Sequence, residues 1–139
     1  MTNLEQFISK YVTERDSSLF ARDIKNNSDA LTKAIGGKSM LVIGGAGSIG
    51  SELSRLISSF PIEQIIVLDN AETPLHNIQL ELTDREKNSK GPDFNPDNFA
   101  HRYKFVIADV RDVARMERVF EAYEPQIVFH AAAYKHVPL

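Results

Sequence analysis

A glycine-rich run between residues 44 and 50 has the residue types and spacing of a phosphate-binding turn. An apolar stretch, residues 40–43, precedes it, and an amphipathic stretch, residues 51–60, follows it. Glycine lets the backbone turn sharply and approach a ligand, and a helix N-terminus offers unpaired N–H donors and a partial positive charge. The pattern predicts that this run holds the pyrophosphate of a dinucleotide. The predicted contacts are Gly44, Gly45, Ala46, Gly47, Ser48, Ile49 and Gly50.

An acid at the end of the next apolar run is expected to select the cofactor. Asp69 closes the run 65–68 and lies 19 residues after Gly50, near the spacing at which such units place an acid on the adenosine ribose. Its carboxylate would accept hydrogen bonds from the ribose diol and repel a 2′-phosphate. Asn70 follows in the same predicted site, and no arginine stands immediately beside Asp69. We therefore predict NAD, with NADP as the alternative; capping of the next helix is the alternative role for Asp69.

Two further strand ends complete the predicted cofactor site. Asp109 is expected to reach the edge of the adenine ring, with Val110 beside it, whereas Asp112 is expected to cap the helix that follows. Three small residues, Ala131, Ala132 and Ala133, end the last apolar run. They would leave room for a flat cofactor to lie against the backbone. Alternatively, the alanines could begin a helix.

The elements that must position these residues alternate from residue 38 onward. Strands are predicted over 39–43, 64–68, 104–108 and 126–130, and helices over 48–59, 72–85 and 113–123. Near-continuous apolar strands separated by amphipathic helices are typical of a parallel sheet covered on both faces. The predicted fold class is α/β, the N-terminal half of a Rossmann-like doubly wound parallel sheet. Residues 86–100 combine glycine and proline with polar residues, which predicts a mobile loop.

The first 37 residues have a different pattern. Apolar residues at helical spacing predict an amphipathic helix over 3–14, which would pack as an arm against its own domain or a neighbouring subunit. Ser28 is expected to cap a short helix that Gly36 and Gly37 end. The predicted organisation is a helical extension, residues 1–37, followed by an NAD(P)-binding Rossmann domain, residues 38–139, that is incomplete at its C-terminus.

Composition excludes several classes of function. The net charge of −3 gives no basic surface for nucleic acid, and no apolar run reaches the roughly 18–20 residues that span a bilayer. The chain has no cysteine, which rules out disulfides and thiolate chemistry and favours a cytoplasmic protein. The four histidines have no metal-ligand spacing, so no metal site is predicted.

The motifs together resemble the extended short-chain dehydrogenase/reductase family. Within it, the chain is similar to the nucleotide-sugar 4,6-dehydratases of bacterial polysaccharide biosynthesis, of the UDP-N-acetylglucosamine 4,6-dehydratase type. The resemblance covers about residues 18–139 and is carried by the glycine run, by residues 109–112 and above all by residues 129–139, Phe-His-Ala-Ala-Ala-Tyr-Lys-His-Val-Pro-Leu. A weaker similarity lies at residues 19–23. Where the family usually has threonine, this chain has Ile43.

The resemblance implies an enzyme that oxidises the sugar C4 hydroxyl with NAD, eliminates water and returns the hydride to C6. Lys135 and His136 would lie beside the substrate, with Lys135 neutralising a diphosphate and His136 shaping the sugar site; a charged helix start without a ligand is the alternative. The family's Tyr-x-x-x-Lys pair is absent from the 139 residues. We therefore expect the catalytic residues beyond Leu139, and we expect this chain alone to be inactive.

The resemblance also implies a UDP-sugar as the substrate and assembly into a homo-oligomer. We expect no nucleic-acid partner and no membrane span. Two other functions stay open. One is a nucleotide-sugar epimerase or reductase of the same family, and the other is a non-catalytic dinucleotide-binding module.

Overall fold

A four-stranded parallel sheet organises the computed structural model, which describes residues 21–133. The strands are β1 (Ser39–Ile43), β2 (Gln64–Asp69), β3 (Tyr103–Ile107) and β4 (Ile127–His130). The helices are α1 (Ala21–Asn26), α2 (Ser28–Ile35), α3 (Ser48–Ser58), α4 (Glu72–Lys90), α5 (Pro96–Arg102) and α6 (Val113–Tyr123), and a short 3₁₀-helix covers Gly91–Asp93. The strand order is β3-β2-β1-β4, so the chain crosses from one side of β1 to the other between β3 and β4. The predicted α/β, Rossmann-like fold is confirmed.

The chain divides into two compact units, Met1–Ala34 and Ile35–Leu139. In the first, α1 and α2 contain no buried residue. The short helix predicted before Gly36 is present, but Ser28 is its first residue and not its cap. The N–H of Leu31 donates to the Asn27 carbonyl over 2.9 Å, so the hydrogen bonding begins one residue earlier. The helix predicted over 3–14 lies outside the described residues.

The centre of the second unit is a pair of strands buried on both faces. Every residue of β1 is buried, and so are the four central residues of β2. Leu41 of β1 lies opposite Ile66 of β2, and Ile43 lies opposite Leu68. Because neighbouring side chains of a strand point to opposite faces, these four residues face one layer of helix, and Met40 and Val42 face the other. The near-continuous apolar runs of the sequence reflect this two-sided burial.

Helices cover the two faces. On one side, Val119 of α6 packs with Leu41, Ile66 and Val106 in a buried cluster. Contacts to β1 and β2 come from α3, and α4 contacts β2 and β3; both helices bury apolar side chains, among them Ile57, Ile78 and Leu82. Burial of such side chains contributes about 1.5–3 kcal/mol each, and this packing fixes where the strand ends lie.

The strands and helices agree with the sequence prediction to within a few residues, with one clear exception. The mobile loop predicted over 86–100 is wrong: α4 continues to Lys90, and α5 begins at Pro96. Asn95 caps α5, since its side chain accepts hydrogen bonds from the N–H groups of Asp97 and Asn98. Proline is favourable at the first helical position, where no N–H is needed. Glycine and proline here mark short helix boundaries within a folded connection.

Ionic and hydrogen-bonding contacts tie this connection to the sheet. The carboxylate of Glu86 accepts a hydrogen bond from Arg102 over 2.9 Å and one from the Tyr103 hydroxyl over 2.7 Å. The other end of the Arg102 guanidinium donates to the carbonyls of Ser58 and Phe60, each over 2.8 Å. These contacts join α3, α4 and the start of β3 at the edge of the sheet opposite its carboxyl ends.

Candidate functional site

The glycine turn leaves β1 through a conformation that only glycine adopts easily. Gly44 has φ of 75°, in the left-handed region where a side chain is strained. A Cβ at Gly44 would also lie 2.5 Å from the backbone nitrogen of Ala132. The N–H groups of Gly44 and Gly45 both donate to the Leu68 carbonyl, over 2.8 and 3.0 Å. The turn is therefore held against β2 on one side and lies close to the chain after β4 on the other.

Gly50 lets α3 start directly on this turn. It is buried, and a Cβ there would overlap the carbonyl oxygen of Gly44. Gly47 is the N-cap residue of α3, and no side chain caps this helix end. The first N–H groups of α3 are therefore not satisfied by a side-chain cap, and with the helix dipole they favour an anion.

Asp69 lies between the glycine turn and the turn after β2. Its Oδ2 accepts a hydrogen bond from the N–H of Ala46, and its Oδ1 accepts one from the N–H of Ala71, each over 3.0 Å. The N-cap residue of α4 is Ala71, so Asp69 bonds the turn before the helix and does not cap its first amides. An ionised carboxylate has about four acceptor positions, and two of them remain for a ligand.

The turn after β3 brings a second acid to the same edge. The Asp109 carboxylate accepts hydrogen bonds from the Arg111 side chain and, over 2.9 Å, from the Arg111 backbone N–H. These hydrogen bonds and the positive charge of Arg111 lower the pKa of Asp109 to about 2. Asp112 caps α6 by accepting from the N–H of Arg115 over 3.0 Å, as predicted. The two acids therefore have different roles, one at the edge of the sheet and one in the helix cap.

The chain after β4 forms the last wall. The N–H of Ala131 donates to the Ile43 carbonyl over 2.8 Å, which extends the pairing of β4 with β1 past the strand end. Residues 131–133 are in no helix, so the alternative that the alanines begin one is wrong for these positions. Because alanine side chains are short, they take up little of the space beside this stretch of backbone.

These four strand ends surround one cavity of about 630 Å³, which we call the carboxyl-end cavity. It is lined by Ile43, Gly44, Gly47, Leu68, Asp69, Asn70, Ala108, Asp109, Val110, Arg111, His130, Ala131, Ala132 and Ala133. Nine of the predicted cofactor residues are therefore brought together. Gly45, Ala46, Ser48, Ile49 and Gly50 belong to the adjoining turn and helix start but do not line the cavity.

Five lining residues were not predicted as site residues. Ile43, Leu68 and Ala108 are apolar residues at or next to strand ends, and His130 ends β4. Arg111 was part of a recognised motif, but only its geometry shows that it bonds Asp109. The position of His130 directly before the alanines was the available sequence signal for that residue.

The substrate-side candidates Lys135 and His136 lie outside the described residues. Across residues 21–133, no three acidic or histidine side chains are grouped so that they could hold a metal ion. None of the helices in that same stretch is long and apolar enough to cross a membrane.

Known proteins resemble the chain over most of its length. "Probable polysaccharide biosynthesis protein EpsC" of Bacillus subtilis (strain 168) is 42% identical over 109 residues, 78% of this chain and 16% of that protein. "Capsular polysaccharide biosynthesis protein CapD" of Staphylococcus aureus is 33% identical over 138 residues, 98% of this chain and 19% of that protein. A dTDP-glucose 4,6-dehydratase of Neisseria gonorrhoeae is 37% identical over 102 residues, 73% of this chain and 25% of that protein. The chain spans less than a fifth of the length of the first two relatives.

A solved structure and a family profile also match the chain. The structure described as "X-ray structure of Pen from Bacillus thuringiensis" matches with a TM-score of 0.57 and 27% identity, over 74% of this chain and 28% of that one. The profile of the family described as "Polysaccharide biosynthesis protein" matches residues 40–139. This stretch contains the glycine turn, both acidic strand ends and the wall of alanines. The chain therefore belongs to the polysaccharide biosynthesis protein family.

Proposed function

We propose that the carboxyl-end cavity binds NAD. The observation that carries the proposal is the gathering of an uncapped helix start, two acidic strand ends and a low alanine wall around one cavity. Open α/β sheets bind ligands outside the carboxyl ends of their strands, where the strand order reverses. In this sheet that point lies between β1 and β4.

The residues present fit the parts of a dinucleotide. A Cβ at Gly44 would overlap the backbone of Ala132, so glycine at this position lets the turn pack directly against the chain after β4. The N–H groups at the start of α3 would donate to the phosphate oxygens. Asp69 would accept the ribose hydroxyls with the two acceptor positions that Ala46 and Ala71 leave open. Asp109 would face the adenine edge, and the alanines would lie along the nicotinamide half.

The charge of the site favours NAD over NADP. In NADP, a 2′-phosphate would replace the ribose hydroxyl from which Asp69 would accept a hydrogen bond. The negative charges of the phosphate and the carboxylate would then lie at hydrogen-bonding distance and repel each other. Arg111 is the cation among the lining residues, and its side chain already forms an ion pair with Asp109. NADP is therefore the second choice.

We further propose that the protein containing this chain is a nucleotide-sugar 4,6-dehydratase of surface polysaccharide synthesis. Bound NAD would supply hydride transfer to and from the sugar, and this chain would bind and orient the cofactor. Support comes from the family and from relatives named as 4,6-dehydratases. UDP-N-acetylglucosamine is the proposed substrate, with Lys135 and His136 on its side of the site. A family epimerase or reductase is the alternative. Cytoplasmic location and homo-oligomeric assembly stay predictions, as does the division into 1–37 and 38–139.

Two experiments test these proposals separately. Isothermal titration calorimetry of the 139-residue chain with NAD and with NADP tests the cofactor site; we expect saturable NAD binding and weaker NADP binding. Absence of NAD binding by the folded chain would contradict the cofactor proposal.

The product of the complete reading frame that contains this sequence, incubated with NAD and UDP-N-acetylglucosamine, tests the reaction. Loss of one water from the sugar nucleotide, seen by mass spectrometry, is the expected result. An unchanged mass with the cofactor bound would contradict dehydration of UDP-N-acetylglucosamine and would favour an epimerase, another sugar nucleotide or a binding module.

A further inference from the structure

Arg102 joins the end of α5 to the end of α3. It is the last residue of α5, and its Nη2 donates to the carbonyls of Ser58 and Phe60, each over 2.8 Å. Ser58 is the last residue of α3, and the last carbonyls of a helix have no partner within the helix. A guanidinium at this place satisfies them and complements the negative end of the helix dipole. Arg102 therefore holds the end of α3 that lies away from the carboxyl-end cavity.

The same guanidinium is held in turn by α4. Its Nη1 donates to Oε1 of Glu86 over 2.9 Å, and the Tyr103 hydroxyl donates to the same oxygen over 2.7 Å. The side chains of Arg102 and Glu86 are only 23% and 13% exposed, so solvent ions screen this pair less than a surface pair. Because the guanidinium is planar and is bonded at both of its ends, Arg102 keeps one geometry between the two helices.

Few apolar side chains hold α3 in place. Its buried residues are Gly50, Ser54 and Ile57, and of these only Ile57 has a large apolar side chain. Ile49 and Leu56 of the same helix are exposed. Stabilisation by apolar burial grows with the apolar area buried, so the orientation of α3 depends more on its polar contacts than the positions of the buried strands do.

The folded connection before β3 places Arg102 at this contact. Asn95 caps the start of α5, and β3 begins at Tyr103, directly after Arg102. A capped helix on one side and a strand on the other restrict the backbone of Arg102. Less conformational entropy is then lost when its side chain bonds α3.

We propose that Arg102 is a positioning residue for the pyrophosphate: by holding the far end of α3, it aims the first N–H groups of that helix at the carboxyl-end cavity. The inference rests on the proposed binding of NAD. With 11 residues, α3 is about 16 Å long, so a tilt at Ser58 also turns the N–H groups at its start. No side chain caps that start. Binding groups must stay within about 0.5 Å and 10–20° of their productive geometry, so a tilted α3 would donate less well to phosphate oxygens.

The test compares ligands that reach the start of α3 with one that does not. NAD and ADP carry phosphates, whereas adenosine would bind through Asp69 and Asp109. In Arg102→Met we expect the affinities for NAD and ADP to fall about threefold to tenfold, as for one weakened hydrogen bond, and the affinity for adenosine to stay the same. Calorimetry measures NAD and ADP, and an NMR titration measures adenosine. Arg102→Lys keeps the charge without the planar fork and should recover part of the loss.

A control of similar stability separates positioning from general weakening of the fold. Val119→Ala opens a space under α6, in a cluster that contains no residue of α3, and should lower the free energy of unfolding. We expect the folded Val119→Ala protein to bind all three ligands as the unmodified chain does.

Three results would decide against the proposals. Equal weakening of all three ligands by Arg102→Met, or an unchanged affinity for NAD, overturns the inference while NAD binding stands. If Arg102→Met does not fold, Arg102→Lys takes its place: a loss confined to NAD and ADP supports the inference, and no loss overturns it. Failure of the unmodified chain to bind NAD overturns the cofactor proposal itself.

Discussion

The Asp69 carboxylate accepts a hydrogen bond from the backbone N–H of Ala46, 3.0 Å away and 23 residues earlier in the chain. The same carboxylate accepts from Ala71 in the turn after β2. Asp69, which we propose to bind the ribose, therefore also stabilises the glycine turn. Removing its charge should affect the turn and the ligand together, and the two effects can be measured independently.

Asp69→Ala should lower both stability and NAD affinity. Two N–H groups lose a charged acceptor, which costs about 1–3 kcal/mol in the free energy of unfolding, measured by urea denaturation. NAD affinity should fall more than tenfold in calorimetry, and the preference for NAD over NADP should largely disappear because the repelling charge is gone. Asp84→Asn, an exposed acid of α4, is the control. A variant that keeps the preference for NAD would show that another residue selects the cofactor.

Gly44→Ala and Gly37→Ala separate backbone strain from steric overlap. Both glycines have similar φ, 75° and 67°, so both alanines cost roughly 1–2 kcal/mol of strain. A Cβ at Gly37 meets nothing within 4 Å, whereas at Gly44 it lies 2.5 Å from the nitrogen of Ala132. We expect Gly44→Ala to be the more destabilising by urea denaturation, and to lose NAD binding if it folds. Equal unfolding midpoints would mean that Ala132 moves away at no cost.

Local sequence patterns were sufficient for the elements that build the cavity. The apolar run of β1 matched its observed bounds, Ser39–Ile43, and so did that of α6, Val113–Tyr123, because two-sided burial and amphipathicity leave direct signatures. The connection before β3 was missed because its order depends on contacts between distant residues. Glu86 meets Tyr103, 17 residues later, and no local pattern reports such a pair. The contact between Asp109 and Arg111 is local, yet its orientation toward the cavity required the structure.

The Tyr103 hydroxyl should ionise well above the usual tyrosine pKa of about 10. Burial and its hydrogen bond to Glu86 raise the pKa of Tyr103 to about 12. A folded-state pKa above the unfolded value of about 10 stabilises the fold fully below pH 10, and this contribution is lost as the pH rises toward 12. Titration of absorbance at 295 nm, compared between the unmodified chain and Tyr103→Phe, isolates this group. A difference curve with a midpoint near pH 10 would show that the contact with Glu86 does not form.

Glu86 should make the stability of the fold depend on pH at the acidic end of the range. Although burial alone would raise the pKa of Glu86, the hydrogen bonds from Tyr103 and Lys90 and the charge of Arg102 outweigh it and lower that pKa. A depressed carboxyl pKa stabilises the fold above the unfolded value of about 4.3 and ceases to do so as the pH falls below it. Glu86→Gln should therefore lose stability at pH 7 and show a smaller further loss on acidification. If acidification lowers the urea midpoint of Glu86→Gln as much as it lowers that of the unmodified chain, this expectation is contradicted.

Asn95 should determine whether α5 forms. Its side-chain oxygen accepts from the N–H groups of Asp97 and Asn98 over 2.8 and 3.2 Å, and α5 has seven residues, too few for stability by propensity alone. Loss of an asparagine cap costs about 1 kcal/mol, so amides of α5 in Asn95→Ala should exchange with solvent about fivefold faster. Asn98→Ala changes an exposed side chain of the same helix and is the control. Hydrogen exchange followed by mass spectrometry measures the amide exchange rates of α5 in both variants. Equal rates in the two variants would show that the cap is dispensable. An unprotected α5 in the unmodified chain would favour the loop that the sequence alone predicted.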